Sequence, residues 1–250
     1  MNVKRERDIL ELLVQKKEIT VAELARTLYA SEPSIRRDLK HLEQQHLLHR
    51  THGGAVLDES GISEIKIPFM IRELEDAEEK FLIARQAIKL VEDEVVVFLD
   101  ASTSACCMVP LLAEKKGITV ITNGIRTITK CSECHIRTIA IGGDVVNSCY
   151  AMVGEAACAA IDGYHAHICF FSCRSMSENG VLTDIAEKEN YVRRHMIAHA
   201  SRSYLLLTQS KIGHIHFHTL CHAQDLTGIV TAGKPPMTFS QWCDRQDRED

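Results

Sequence analysis

No apolar run in this chain approaches the roughly 18 residues that a membrane-spanning helix needs. The first residues, Met1 to Arg7, are charged and lack the apolar stretch of a signal peptide. Both absences point to the cytoplasm and to no membrane partner. No Ser-His-Asp or metal-hydrolase motif is present, so neither catalysis nor a cofactor is expected. The chain also lacks an excess of positive charge: its net charge of −5 weighs against a nucleic-acid partner if taken as one number. Disorder is excluded, because 45% of residues are hydrophobic and only 25% charged. The 250 residues suffice for one large domain or two modest ones.

Ten cysteines would suggest disulfides in an exported protein. Here Cys106, Cys107, Cys158 and Cys169 lie in apolar stretches and no export signal precedes them, so free buried thiols are expected.

The charge is unevenly spread. Residues 1–57 hold ten Lys and Arg against eight Asp and Glu, which is +2 and leaves −7 for the remainder. Arg36, Arg37, Lys40 and Arg50 lie close together in this mildly basic segment. Ile9, Leu10, Leu12 and Leu13 recur at helical spacing and predict a helix over 3–16. Thr20 to Glu23 forms a capping box that opens a second, short helix. Ser31 caps a third, with Pro33 in its first turn. In that third helix Ile35, Leu39 and Leu42 turn inward, leaving Ser34, Arg36, Arg37 and Lys40 outside. Two short extended runs around Gly53-Gly54 make a β-wing that carries Arg50 and His52.

Three short helices with a basic face on the third, followed by a wing, fit a winged helix-turn-helix over 1–57. The third helix would enter the major groove of a double-stranded DNA operator. Arg36 or Arg37 would bond guanine there, worth about 1–3 kcal/mol of discrimination. Ser31, Ser34, Lys40, Arg50 and His52 complete the expected contacts, with Arg50 and His52 on sugar-phosphate. The run Leu24-Ala25 to Ser31, Ile35-Arg36-Arg37-Asp38-Leu39, Leu42, Leu47-Leu48 and His52-Gly53-Gly54-Ala55 closely resembles the DeoR family of bacterial repressors.

Residues 58–76 read as a linker, within which Pro68 to Arg72 resembles the family's connector. Beyond it, helices alternate with continuous apolar strands. Helices are expected over 77–91, 103–114, 124–133 and 185–199, with another after Gly154. Strands are expected at Val95–Leu99, Ile118–Ile121, Thr138–Ile141, Ile168–Phe171, Tyr204–Leu207 and Gly228–Val230. Such alternation predicts an α/β fold with a mainly parallel, helix-covered sheet over 77–233. Residues 234–250 read as a polar, disordered tail. The order of elements also resembles the DeoR-family sensor domain, which implies an isomerase-like fold similar to ribose-5-phosphate isomerase and glucosamine-6-phosphate deaminase.

Ligands of such folds sit at the carboxyl ends of strands. Asp100, Ser102, Thr103 and Ser104 lie between a strand and a helix, where hydroxyls and backbone N–H groups make either an anion site or a plain helix cap. The resemblance implies a sugar-phosphate loop at this point, although Ala101-Ser102 stand where the family has Gly-Gly. Thr208 to Gly213 resembles the family's Asp-x-Ser-Lys-x-Gly, with Lys211 by the ligand and Thr208 in place of the acid. Ser172 to Ser175 replaces Gly-Ala-Asp-Gly, so Arg174 inverts the local charge. Thr122, Asn123, Gly142, Gly143 and Gly154 fit the family pattern. The resemblance therefore implies a homodimer or homotetramer that represses a carbohydrate operon and is released by a phosphorylated sugar. Operator half-sites one helical turn apart would lie about 34–36 Å from centre to centre.

Two rivals remain at this stage. An isomerase or deaminase needs a carboxylate base, and the relevant strand end carries Ser172 and Arg174 instead. A metal- or redox-responsive regulator would use Cys131 and Cys134, or His214, His216 and His218 sharing one face of a strand.

Overall fold

The computed structural model describes residues 3–45, 47–57 and 69–249, and within it the chain divides into two compact units that meet at Glu75 and Asp76. Most of the segment read as a linker, 58–68, lies outside the described residues.

The first unit begins with helix α1 (Val3–Lys16), strand β1 (Glu18–Thr20) and helix α2 (Val21–Thr27). It continues with α3 (Glu32–Gln44), β2 (His49–Arg50), β3 (Gly54–Val56) and α4 (Phe69–Leu74). The apolar face of each helix meets one core of Ile9, Leu10, Leu13, Leu24, Ile35, Leu39 and Leu42. Thr20 caps α2 as its sequence predicts, its hydroxyl accepting from the Glu23 N–H at 3.2 Å. The Glu23 carboxylate does not reach back, because it pairs with Lys16. The strands form a small sheet in the order β1-β3-β2. A Cβ at Gly54 would lie 2.2 Å from the Ile19 carbonyl oxygen, so only glycine lets β3 approach β1 this closely. The expected linker needs correction at its end: residues 69–74 are helical, and α4 packs on α1 with Ile71 in the core of the first unit.

The second unit starts with α5 (Ala77–Ala87), β4 (Val96–Leu99), α6 (Thr103–Cys106), α7 (Val109–Leu112) and β5 (Thr119–Thr122). Then come α8 (Ile125–Glu133), β6 (Arg137–Ala140), β7 (Asp144–Val146), β8 (Ala151–Val153) and α9 (Glu155–Asp162). Next are β9 (Ile168–Phe171), β10 (Ser175–Met176), β11 (Val181–Asp184) and α10 (Glu187–Ala198). The unit ends with β12 (Ser203–Leu206), β13 (His218–His222), β14 (Gly228–Val230) and α11 (Phe239–Glu249).

Six of these strands form one parallel sheet in the order β14-β12-β9-β4-β5-β6. Side chains alternate across it, as the period of two requires. Phe98, Ile121, Cys169, Phe171, Leu205 and Ile229 pack on one face; Val97, Leu99, Val120, Phe170, Leu206 and Val230 pack on the other. Burial on both faces is why these strands read as unbroken apolar runs. A three-stranded antiparallel sheet, β10-β11-β13, and the β7-β8 hairpin were not legible in the sequence.

Two expectations are corrected here. The helix expected over 103–114 is broken into α6 and α7, with Pro110 in the first turn of α7. The tail is ordered rather than disordered. Met237 and Trp242 are buried in the core, Phe239 stacks on Trp242 at 5.7 Å, and Met237 exchanges two backbone hydrogen bonds with Ile229.

Candidate DNA interface and effector site

On α3 the inward residues Ile35, Leu39 and Leu42 are fully buried, and this fixes which side chains face out. Arg36, Arg37 and Lys40 are exposed and Ser34 is half-buried. Asp38 is buried and accepts from Arg5 of α1 at 2.5 Å, which locks the roll of α3. Arg37 and Lys40 have no hydrogen bond or ion pair among the described residues. Arg36 reaches Glu32 at 3.3 Å, an exposed pair of the kind worth only about 0.3–0.5 kcal/mol, so the guanidinium is readily released. Ser31 does not cap with its hydroxyl as expected. Its Oγ lies 2.9 Å from Ser34 Oγ, while its carbonyl accepts the first helical N–H groups. The Arg50 N–H donates to Glu43 Oε1 at 2.9 Å, which ties the wing to the end of α3. His52 is exposed at the wing turn without a partner among the described residues. Arg26, at the end of α2, is a further exposed cation without a partner there, which sequence reasoning missed.

In the second unit the strand order reverses at β4. The chain runs outward through β5 and β6, then returns to the other side of β4 for β9, β12 and β14. Such a reversal opens a crevice beyond the carboxyl ends of the two strands that flank it. Those ends are Asp100 to Ser104 after β4 and Ser172 to Arg174 after β9. The sequence had singled out both segments.

Their contacts sort the candidates. Asp100 does not offer a free carboxylate: it is 1% exposed and accepts from Arg193 Nε at 2.9 Å and the Ser102 N–H at 3.2 Å. Ser102 Oγ accepts from the Ala105 N–H at 3.1 Å and so caps α6. That helix has only four residues, which weakens the argument from a helix dipole. Thr103 and Thr122 are buried, and Thr122 Oγ1 accepts from the Gly124 N–H at 3.1 Å. Asn123 donates to the Met152 carbonyl at 2.9 Å. Asn123 Oδ1, Ser104 Oγ and Thr127 Oγ1 are buried with no hydrogen-bond partner among the described residues. An unpaired buried polar atom is costly, and these three lie in the segments that follow β4 and β5: Ser104 in α6, Asn123 just after β5 and Thr127 in α8. Gly142 has open space beside it, whereas a Cβ at Gly143 would lie 2.4 Å from the Val153 carbonyl oxygen.

Lys211 Nζ donates to Ser172 Oγ at 2.6 Å, and Ser172 Oγ in turn donates to the Leu206 carbonyl at 2.7 Å. The loop that carries Lys211 is held by two carboxylates near the start of α5: Ser210 donates to Asp76 at 2.5 Å and the Gln209 N–H to Glu79 at 2.8 Å. Arg174 is half-buried, and no carboxylate pairs with it among the described residues. The nearby carboxylate of Asp184 is bonded to Arg193 instead.

Arg193 of α10, missed in the sequence, organises the crevice. Its guanidinium reaches Asp100 at 2.9 Å, Asp184 at 2.8 Å and Glu189 at 3.2 Å, with Arg193 itself only 5% exposed. Burial works against its charge, but the three carboxylates outweigh burial and push its pKa up. Burial likewise works to raise Asp184. Arg193 and the N–H groups of Ile185 and Ala186 more than offset it and hold the carboxyl below its usual range. The fork of Arg193 thereby joins the end of β4 to the end of β11.

Among the described residues, those of the metal or redox reading form no group of three metal-ligand side chains. Burial pushes the Cys131 thiol up to about 11, which suppresses its thiolate. Of the three alternating histidines only His218 lies on a strand, and His216 Nδ1 is 2.7 Å from Ser175 Oγ. Asp162, His195 and His199 cluster instead, with both imidazoles on one carboxylate oxygen at 2.5 and 3.1 Å.

A winged helix-turn-helix with loose cations, joined to a parallel-sheet unit with a polar crevice at its switch point, defines a DNA-binding transcription regulator with a sensor for a small-molecule effector. Residues 5–61 match the DeoR-like helix-turn-helix domain and residues 75–232 the DeoR C-terminal sensor domain. The chain belongs to the DeoR family. It is 32% identical to the transcriptional regulator YulB of Bacillus subtilis over 91% of this chain and 87% of that one. It is 30% identical to the lactose phosphotransferase system repressor of Staphylococcus aureus over 89% of each. Among solved structures, ribose 5-phosphate isomerase from Methanocaldococcus jannaschii matches 55% of each chain at 17% identity, with a TM-score of 0.41. No described helix is long and apolar enough to cross a membrane.

Proposed function

We propose that this regulator represses a carbohydrate-metabolism operon and releases it when a phosphorylated sugar enters the crevice between β4 and β9. The observation that carries the reading is Lys211 bonded to Ser172 at the end of β9, in a unit where Ser104, Asn123 and Thr127 each bury a polar atom without a partner among the described residues. The ammonium supplies charge to a phosphate, and Ser104, Asn123 and Thr127 supply polar contacts to sugar hydroxyls. Arg174, a cation with no carboxylate paired to it among the described residues, favours an anionic effector over a neutral sugar. The lactose phosphotransferase system repressor of Staphylococcus aureus supports a carbohydrate operon as the target.

Catalysis is not part of the proposal. Proton abstraction from a sugar needs a free carboxylate, and Asp100 and Asp184 are both committed to Arg193. On DNA, Arg36 and Arg37 read bases, while Ser31, Ser34, Lys40, Arg50 and His52 hold the backbone. The active form is a homodimer or homotetramer, which presents paired α3 helices to repeated half-sites. By linkage the effector must bind the free and DNA-bound forms with different affinity.

Thermal-shift screening of the full chain against phosphorylated sugars, polyol phosphates and sugar acids tests this. A specific hit raises the melting temperature by mass action and, added to the protein–DNA complex, releases the DNA. Silence across all phosphorylated compounds would remove the phosphosugar from the proposal.

A further inference from the structure

Tyr29 lies in the turn between α2 and α3, and the fold gives no reason for it to be tyrosine. Its φ is +50°, in the left-handed region. The Ala30 N–H bonds the Ala25 carbonyl at 2.9 Å, the outer hydrogen bond of a Schellman helix end, which makes Tyr29 the residue normally supplied as glycine. A bulky residue in that conformation is an outlier that carries strain. Its side chain returns nothing to the core, for Tyr29 is 97% exposed. A strained backbone bearing a large, fully exposed ring is selected by something outside the fold.

The position says what that is. The turn leads directly into the N-terminal end of α3, and the N-terminal residues of a recognition helix are the ones that meet DNA. Arg26, three residues earlier, is exposed and has no partner among the described residues. A phenol hydroxyl and a guanidinium three residues apart in the chain are both donors that suit a phosphate oxygen. We propose that Tyr29 is a further DNA-binding residue, donating its hydroxyl to a backbone phosphate at the rim of the groove that α3 enters, with Arg26 supplying charge beside it. The proposal rests on that placement of α3.

The test uses the full chain, a duplex selected by it from random sequences, and an unselected duplex of equal length. Tyr29→Phe and Tyr29→Gly should each weaken both duplexes equally, about tenfold, as loss of one hydrogen bond to a charged group predicts. Tyr29→Gly should leave the melting temperature unchanged or higher, because glycine relieves the strain. Arg26→Ala should lower the slope of log affinity against log salt by about 1. Wild-type affinity in Tyr29→Phe overturns the hydroxyl contact. A loss confined to the selected duplex overturns the phosphate assignment. A lower melting temperature in Tyr29→Gly overturns the premise that the ring does not serve the fold. Arg37→Ala is the control: if it too binds like wild type, the placement of α3 has failed rather than the role of Tyr29.

Discussion

Arg37 and Lys40 stand exposed on α3 with no carboxylate in reach among the described residues, whereas Arg193 in the second unit is buried among three. On α3 the first unit keeps these two cations exposed to solvent, ready to exchange water and counterions for phosphate. The second uses a cation as a rivet, whose partners hold the strand ends in place. One residue type thus serves association on the outer face of α3 and architecture in Arg193, as it also does in the first unit's own Arg5–Asp38 pair, and burial of the partner separates the two roles.

The largest expected break in this contrast is Arg193→Ala. It would strand Asp100 and Asp184 in the interior and should cost about 3–5 kcal/mol, read as a lower urea midpoint for the second unit. A loss below about 1 kcal/mol would mean that the network does not organise the crevice. Arg37→Ala should weaken binding to the selected duplex by about 1–3 kcal/mol with no change in melting temperature or effector binding. Thr20→Ala should destabilise the first unit by about 1 kcal/mol and leave the second untouched, measured by denaturant unfolding.

The Asp184 carboxyl gives the contrast a pH signature. Its folded pKa lies below its unfolded value, so it contributes stability above the unfolded pKa of about 4 and loses it as pH falls through the folded value. Acid titration should therefore weaken the second unit below about pH 4 in wild type, and less steeply in Asp184→Asn. Identical acid profiles would show that the pairing contributes nothing. The smallest effect should come from Glu32→Ala, which frees Arg36. DNA binding should tighten by a few tenths of a kcal/mol at low salt, and the gain should vanish at high salt.

Much of this was legible in the sequence, for reasons that differ between the units. α1 to α3 were readable because Ile9, Leu13, Ile35, Leu39 and Leu42 keep helical spacing over whole turns. The six parallel strands were readable because burial on both faces leaves no polar interruption in runs such as Ile168–Phe171. β10 was not, since its two residues, Ser175 and Met176, cannot establish a period. Arg193 was invisible as a hub because Asp100 lies 93 residues away from it in the chain. The tail misled because Met237, Phe239 and Trp242 are thinly spread among polar residues, although the fold gathers them into its core. The polarity of Ser104 was readable, but that its hydroxyl lacks a partner among the described residues only the fold could show.

That same tail has a consequence for how the protein survives in a crowded cell. β14 is the outermost strand of the parallel sheet, and an uncovered edge there would offer a row of backbone donors and acceptors as a template on which another chain can grow. Met237 takes that place at Ile229, and Phe239 packs against Gly180, where any Cβ would collide with its ring. A chain cut at Gly233 would keep all of the matched sensor region, 75–232, yet expose this row. Such a chain should aggregate before it fails to bind anything, so solubility depends on residues beyond the matched region.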